Sequence, residues 1–270
     1  MEKEQIFKIP SVLICGYGIV GKNLKEIFKW ADVYDKYKSE YPLPTKQYDF
    51  CFISVPTPTK ESGESDISSV IEVLGKTSAK YYIIKSTVPP ETTEKLVKKY
   101  DKRIIFSPEY QGSTQHANVD YDFVILGGNR DFTEKVAQLY QYVYTANLRI
   151  YQTDSKTAEL CKYMENSYLA CKVVFCNEFY RIAKKLNINY NELRELFVAD
   201  SRINKSHTFV YEDYPFYDSK CFNKDLPALV FSMNKKGYNT SFIKSIIDTN
   251  EKFKNEILSC SSKTEQERKE

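Results

Sequence analysis

Ser11-Val12-Leu13-Ile14-Cys15-Gly16-Tyr17-Gly18-Ile19-Val20-Gly21 is where a strand signal, a glycine cluster and a helix signal meet. The run from Ser11 to Cys15 is apolar and β-branched, and helical spacing begins at Ile19 and lasts to Trp30. The chain has only nine glycines in 270 residues, yet three of them, Gly16, Gly18 and Gly21, fall within six positions. A chain so sparing of glycine keeps it where only glycine fits. Between a strand and a helix, G-x-G-x-x-G is the dinucleotide-binding fingerprint. The first glycine turns the chain, the second lets a pyrophosphate reach the backbone, and the third lets the helix pack on the strand; the helix N-terminus faces the phosphates. Asp35 ends the next short strand, Asp32 to Asp35, where its carboxylate can accept a ribose 2′-hydroxyl. This predicts NAD rather than NADP, with Lys36 and Lys38 close by.

Outward from this loop, strand and helix signals alternate. Strands are expected at Tyr48–Val55, Tyr81–Ser86, Arg103–Phe106 and Phe123–Leu126, with helices at Ile67–Thr77, Glu91–Tyr100 and Asp131–Tyr144. That alternation predicts an α/β fold, a Rossmann-like doubly wound parallel sheet over residues 1–152. From Thr153 the strand signals stop. Thr157–Leu186 reads as one long helix, apolar on most sides and so buried between two partners. Asn189 with Glu192 spells a capping box. Lys224–Lys236 reads as a helix ending at Gly237, and Ser241–Leu258 as a last helix. The second domain, 153–260, is therefore expected to be all-α, followed by a frayed polar tail at 261–270.

Composition sets further bounds. At 42% hydrophobic and 28% charged, the chain can bury a sizeable core. Lys plus Arg (39) against Asp plus Glu (36) leaves +3, which gives no case for nucleic acid. Seven scattered cysteines, no CxxC pair and two histidines argue against a disulfide framework and against a metal site. No apolar stretch approaches membrane-spanning length. A cytoplasmic protein is expected.

Three more segments fall where strands of such a sheet would end: Val55-Pro56-Thr57-Pro58-Thr59, Ser86-Thr87-Val88-Pro89-Pro90 and Ser107-Pro108-Glu109-Tyr110. Ligands of open α/β sheets bind at those ends. Together with Ala158–Asn166, Asn177-Glu178, Asp200-Ser201-Arg202-Ile203 and Cys221-Phe222-Asn223-Lys224-Asp225, they make the chain resemble the UDP-glucose 6-dehydrogenase (nucleotide-sugar dehydrogenase) family. The resemblance implies NAD-dependent, four-electron oxidation of the C6 alcohol of a UDP-sugar, with Cys221 as the nucleophile. It implies that Lys162 stabilises the oxyanion, that Asn166 and Asp225 hold the catalytic water, and that Glu109 is the base in thioester hydrolysis. Thr87 would line the nicotinamide and water site. Gly16, Gly18, Ile19, Val20, Gly21, Asp35, Lys36, Thr57, Thr87 and Lys224 would contact the cofactor. Glu109, Tyr110, Lys162, Asn166, Arg202 and Tyr217 would contact the substrate. A homodimer built on the helix 157–186 is implied as well.

The residue chemistry points the same way: a thiolate can hold an aldehyde as a thiohemiacetal, which loses a second hydride to give a thioester. Cys221 is expected in a polar loop beside Lys224 and Asp225, whereas Cys15, Cys51, Cys161, Cys171, Cys176 and Cys260 read as small core residues. Glu159, Lys162 and Asn166 share a helix face, which could equally be a solvated stripe.

The chain departs from the family pattern at several places. Asp218-Ser219 stand for the glycine pair before the nucleophile, Asn223 for a proline, and Glu91 for the glycine after STVPP. The second acidic residue expected near Gln111 or Ser113 is missing, and the family's third, UDP-binding domain has no counterpart in these 270 residues. The aromatics of Asn204–Lys220, among them His207, Tyr211, Tyr214, Phe216 and Tyr217, are candidates to stack on a base or sugar, or to cover bared surface. Two other readings stand beside the leading one: a two-electron β-hydroxyacid dehydrogenase, and a non-catalytic NAD-binding subunit of a full-length homologue.

Overall fold

Cys15, Ile53, Ile84 and Phe106 stand side by side in one sheet, and this register organises the first half of the molecule. The computed structural model describes residues 9–110, 123–144 and 148–267. Gln111 and Ser113 lie outside the described residues, as does the side chain of Cys260. The chain divides into two units, one of Met1–Lys60 with Ser65–Lys162 and the other of Glu61–Glu64 with Tyr163–Glu270.

The first unit is a seven-stranded sheet. Its strands are β1 (Val12–Cys15), β2 (Asp32–Tyr34), β3 (Gln47–Ile53), β4 (Ser78–Ile84), β5 (Ile104–Phe106), β6 (Phe123–Gly127) and β7 (Arg149–Thr153), in the order β2-β1-β3-β4-β5-β6-β7. The order reverses between β1 and β3, which makes that gap the topological switch point. Helices α1 (Ile19–Ile27) and α4 (Arg130–Val143) cover one face, packing Leu24, Phe28, Val136 and Tyr140 onto Ile14, Phe52 and Ile83. Helices α2 (Ser68–Lys76) and α3 (Thr92–Tyr100) cover the other, with Val70, Leu74 and Leu96 on Leu13, Cys51 and Ile84. Strands buried on both faces read as near-continuous apolar runs, which is why β1, β3 and β4 were visible in the sequence.

Two features depart from the expected sheet. β6 runs antiparallel to β5, and β7 is a strand where none was expected. β7 (RIYQT) lies at the edge, paired only with β6 and half exposed, so it carries polar residues and lacks the apolar run that marks an inner strand.

The second unit is helical. It contains α5 (Ser155–Lys185) from Tyr163 onward, α6 (Tyr190–Phe197), α7 (Lys220–Asn234) and α8 (Ser241–Glu267). The first turns of α5 count with the sheet because Ala158, fully buried, belongs to the α2/α3 core. Asn189 caps α6 as expected, its Oδ1 accepting from the amides of Asn191 (2.9 Å) and Glu192 (3.3 Å). Gly237, at φ +76°, follows α7. Ala170, Val174, Phe216, Tyr217, Leu226, Ile246 and Phe253 form the core.

Four expectations need correction here. α5 is not covered all round within one chain: Met164 is 74% exposed and Tyr168 62%. α7 begins at Lys220 rather than Lys224, which puts Cys221 in a helix rather than a loop. α8 continues to Glu267, through most of the expected tail. Tyr217, expected at the substrate, is a core residue at 6% exposure, and Asn250 clamps its backbone with hydrogen bonds to its amide (2.8 Å) and carbonyl (2.9 Å). Phe216 is buried with it, so among the described aromatics of that loop Phe209, Tyr211 and Tyr214 are the exposed ones.

Candidate functional site

The glycine loop comes first. Gly16 adopts φ +91°, and a Cβ there would stand 2.6 Å from the Ser54 carbonyl oxygen; a Cβ on Gly21 would stand 1.9 Å from the Gly16 oxygen. Protein sterics alone exclude any other residue at these two positions. Gly18 is different: a Cβ there would meet nothing within 4 Å. Its open side leaves the backbone at the start of α1 accessible to a ligand, which is what a pyrophosphate-binding cradle requires. Ser54, which the sequence reading missed, pins the loop by donating to the carbonyls of Cys15 (3.1 Å) and Gly16 (2.9 Å).

Asp35 follows β2 directly. Its Oδ2 accepts from the Tyr17 amide (2.7 Å) and its Oδ1 from the Tyr37 amide (2.9 Å), so the carboxylate is oriented beside the glycine loop. The neighbouring lysines are engaged elsewhere, Lys36 with Glu72 (2.8 Å) and Lys38 with the Tyr17 carbonyl (2.9 Å).

The register of β1, β3, β4 and β5 delivers Gly16, Ser54–Thr57, Lys85–Thr87 and Ser107–Glu109 to one edge of the sheet. The buried Thr57 hydroxyl donates to the Thr87 carbonyl (2.8 Å), which joins the VPTPT and STVPP segments. Beyond Pro90, Glu91 sits in the left-handed region at φ +76°. A glycine would be relaxed there, whereas glutamate carries a strain of about 1 kcal/mol.

In the same unit Glu159 is fully buried, and its carboxylate caps α3: Oε2 accepts from the Glu91 amide (2.6 Å) and Oε1 from the Thr93 amide (2.8 Å). Burial pushes this carboxyl up to about 7, against the pull of the two amides. Lys162 is also buried, with Nζ 4.8 Å from the Tyr110 ring centre. Lys85, which the sequence reading passed over, is 6% exposed and lies 3.4 Å from Glu109.

In the second unit the Asn166 amide donates to Asp225 Oδ2 (2.6 Å), and both residues are buried. Lys224 Nζ lies 2.5 Å from the other carboxylate oxygen. The alternative of a solvated stripe is therefore ruled out, since Glu159, Lys162 and Asn166 are all buried. Cys221 is exposed in the first turn of α7, with its amide donating to the capping Ser219 hydroxyl (3.2 Å). The first turn of a helix presents unpaired amides, which stabilise a developing negative charge. Asp218 accepts from Asn223 Nδ2 (2.8 Å) and pairs with Lys254 (3.3 Å). The Asn223 hydrogen bond and then the Lys254 charge hold its carboxyl below the usual range. Three departures from the family pattern, Asp218, Ser219 and Asn223, thus form one capping structure around the start of α7. Arg202 is 86% exposed and paired with Asp200 (2.6 Å). Among the described residues no His, Cys, Asp and Glu cluster could hold a metal ion, and no helix is long and apolar enough to cross a membrane.

Residues 9–146 match the NAD binding domain of the UDP-glucose/GDP-mannose dehydrogenase family, and residues 156–252 match its central domain. UDP-glucose 6-dehydrogenase of Rickettsia felis is 28% identical over 228 residues, 80% of this chain and 50% of the relative. The chain spans about half the length of the curated relatives it matches. In fold it is similar to a UDP-glucose dehydrogenase of Pyrobaculum islandicum, with a TM-score of 0.74 at 22% identity, covering 92% of this chain and 69% of that one. A 3-hydroxyisobutyrate dehydrogenase of Mycobacterium tuberculosis shares the fold at a TM-score of 0.65 and 13% identity, over 91% and 94% of the two chains.

Proposed function

Because the chain belongs to the UDP-glucose/GDP-mannose dehydrogenase family and carries its NAD-binding domain, we propose that it oxidises the C6 alcohol of a nucleotide sugar, UDP-glucose, to the carboxylate. One observation carries the reading. Every residue type the four-electron reaction needs is present in family order, and Cys221 is exposed at a helix N-terminus while Asn166 and Asp225 are hydrogen-bonded to each other.

The Gly16–Gly21 loop would hold NAD, with Asp35 at the adenosine ribose and Lys36, Thr57, Thr87 and Lys224 as further contacts, and the bound cofactor would supply the hydride acceptor for both oxidations. The rest is the work of side chains. A water held by Asn166 and Asp225 takes the proton of the C6 hydroxyl. The Cys221 thiolate adds to the aldehyde carbon, and Lys162 stabilises the oxyanion of the thiohemiacetal. After the second oxidation the sugar carbon is a thioester on Cys221. Glu109 takes a proton from water as the water oxygen attacks that carbon; the C–S bond breaks, the thiolate leaves, and the sugar carboxylic acid gives its remaining proton to solvent as the carboxylate is released. Tyr110 and Arg202 contact the sugar nucleotide in this reading.

Titrating NADH released per UDP-glucose consumed tests the proposal, and two is expected. The similarity in fold to 3-hydroxyisobutyrate dehydrogenase keeps a second reading in view, a β-hydroxyacid dehydrogenase, which would form one NADH from a small hydroxy acid. No NADH from either substrate would mark a non-catalytic NAD-binding subunit.

The partner in this reading is a second copy of the chain. α5 presents Leu160, Met164, Tyr168, Phe175, Phe179 and Ile182 to solvent at spacings of three, four and seven, an apolar stripe along the expected dimer helix 157–186. Phe197 of α6 lies beside Phe175, with ring centres 6.3 Å apart. Sedimentation is expected to give the mass of two chains, and Phe175→Asp with Phe179→Asp the mass of one. A wild-type monomer at micromolar concentration would refute the dimer.

A further inference from the structure

We propose that Lys85 is a positioning residue for thioester hydrolysis, holding the loop and the carboxylate of Glu109 in place for the attacking water. Lysine is almost never buried without a partner. Lys85 follows the last residue of β4 directly, and its side chain is 6% exposed. Its ammonium donates to the Pro108 carbonyl (3.2 Å) and lies 3.4 Å from Glu109 Oε2. One cation thus grips both the backbone just before Glu109 and the carboxylate itself, across adjacent parallel strands whose ends, Ile84 and Phe106, are in register.

The surroundings fit this role. Lys85 and Glu109 line a cavity of about 40 Å³ with Asn23, Tyr140 and Tyr144. A water needs roughly 10–15 Å³ of such space and two or more polar partners. The Tyr140 hydroxyl is held above its usual range by burial and then by the Glu109 charge, which places that phenol within electrostatic reach of the carboxylate. The Lys85 charge offsets the desolvation of Glu109, whose side chain is 16% exposed.

This inference rests on the proposed role of Glu109, and the test separates the two. Lys85→Met, Lys85→Arg and Glu109→Gln are mixed with NAD and UDP-glucose and followed by rapid NADH measurement and intact mass. Lys85→Met is expected to release a burst of two NADH per chain and then stall with the sugar thioester on Cys221. Turnover should fall on the order of 100-fold, with the KM for UDP-glucose little changed. Lys85→Arg, which keeps the charge, should recover most of that loss. A merely structural lysine would lower the burst amplitude instead and leave no thioester. Glu109→Gln should stall at the same species. If Glu109→Gln stalls while Lys85→Met hydrolyses normally, the role of Lys85 is overturned and that of Glu109 stands. If Glu109→Gln turns over normally, the reading of Glu109 itself falls. A denaturation cycle on the same variants reads the pair without turnover, with Lys85→Gln replacing the methionine variant if that does not fold. Midpoint losses smaller in the double variant than the sum of the singles are expected, and strictly additive losses overturn the inference.

Discussion

Cys221→Ser is expected to abolish net oxidation, with turnover reduced by roughly 10⁴-fold. An alkoxide is much harder to generate than a thiolate, and a serine ester hydrolyses more slowly than a thioester, so the variant stalls after the first oxidation or holds the sugar as an ester. Cys221 is the exposed thiol among the described cysteines; Cys15, Cys51 and Cys176 are buried, and Cys161 and Cys171 partly so. Burial also raises the thiols of Cys171 and Cys176, which makes them slower nucleophiles. A small alkylating agent should therefore label Cys221 first, with activity lost in proportion. Peptide mapping that finds Cys171 labelled ahead of it, in step with inactivation, would remove the nucleophile from the mechanism.

The second large effect concerns Glu159, which no reading of the sequence singled out as a helix cap. Glu159→Ala removes both acceptors from the start of α3 and leaves a hole in the core, at a cost of about 3 kcal/mol. Its ionisation is separable from its packing. The carboxyl lies near 7 in the folded chain against 4.5 when exposed, so the folded state binds the proton more tightly. The stability it contributes is complete below about pH 4.5 and is lost as pH rises through 7. Glu159→Gln cannot titrate. The stability difference between wild type and Glu159→Gln should therefore shift against the wild type by about 2–3 kcal/mol from pH 5 to pH 8. A difference that stays flat over that range would mean that the two amide donors keep the carboxylate ionised throughout.

Glu159 illustrates how the readable part of this protein differs from the rest. Its place on one helix face with Lys162 and Asn166 follows from spacing alone, but spacing cannot say whether that face meets water. The amides of Glu91 and Thr93 that it caps lie 68 and 66 residues away in the chain. Lys85 is similar. A charged residue closing the apolar run of β4 was the available signal, but only the pairing of β4 with β5 brings it to Pro108 and Glu109.

The alternation of buried strands with amphipathic helices and the glycine loop were both set by local pattern. Each depends on residues within one or two turns or on the two-residue period of a strand, and so can be read from the chain directly. Three other features came from tertiary packing: the antiparallel entry of β6, the core position of Tyr217, and the bare apolar face of α5. An aromatic ring in a loop stays exposed or is buried according to what folds over it, and Asn250, 33 residues on, clamps Tyr217 into the core. An apolar helix face gives the same periodicity whether its neighbour is another helix of the chain or a second copy of the protein. Burial is a property of the assembled fold, and the free energy that drives it scales with area removed from water, which no local pattern contains.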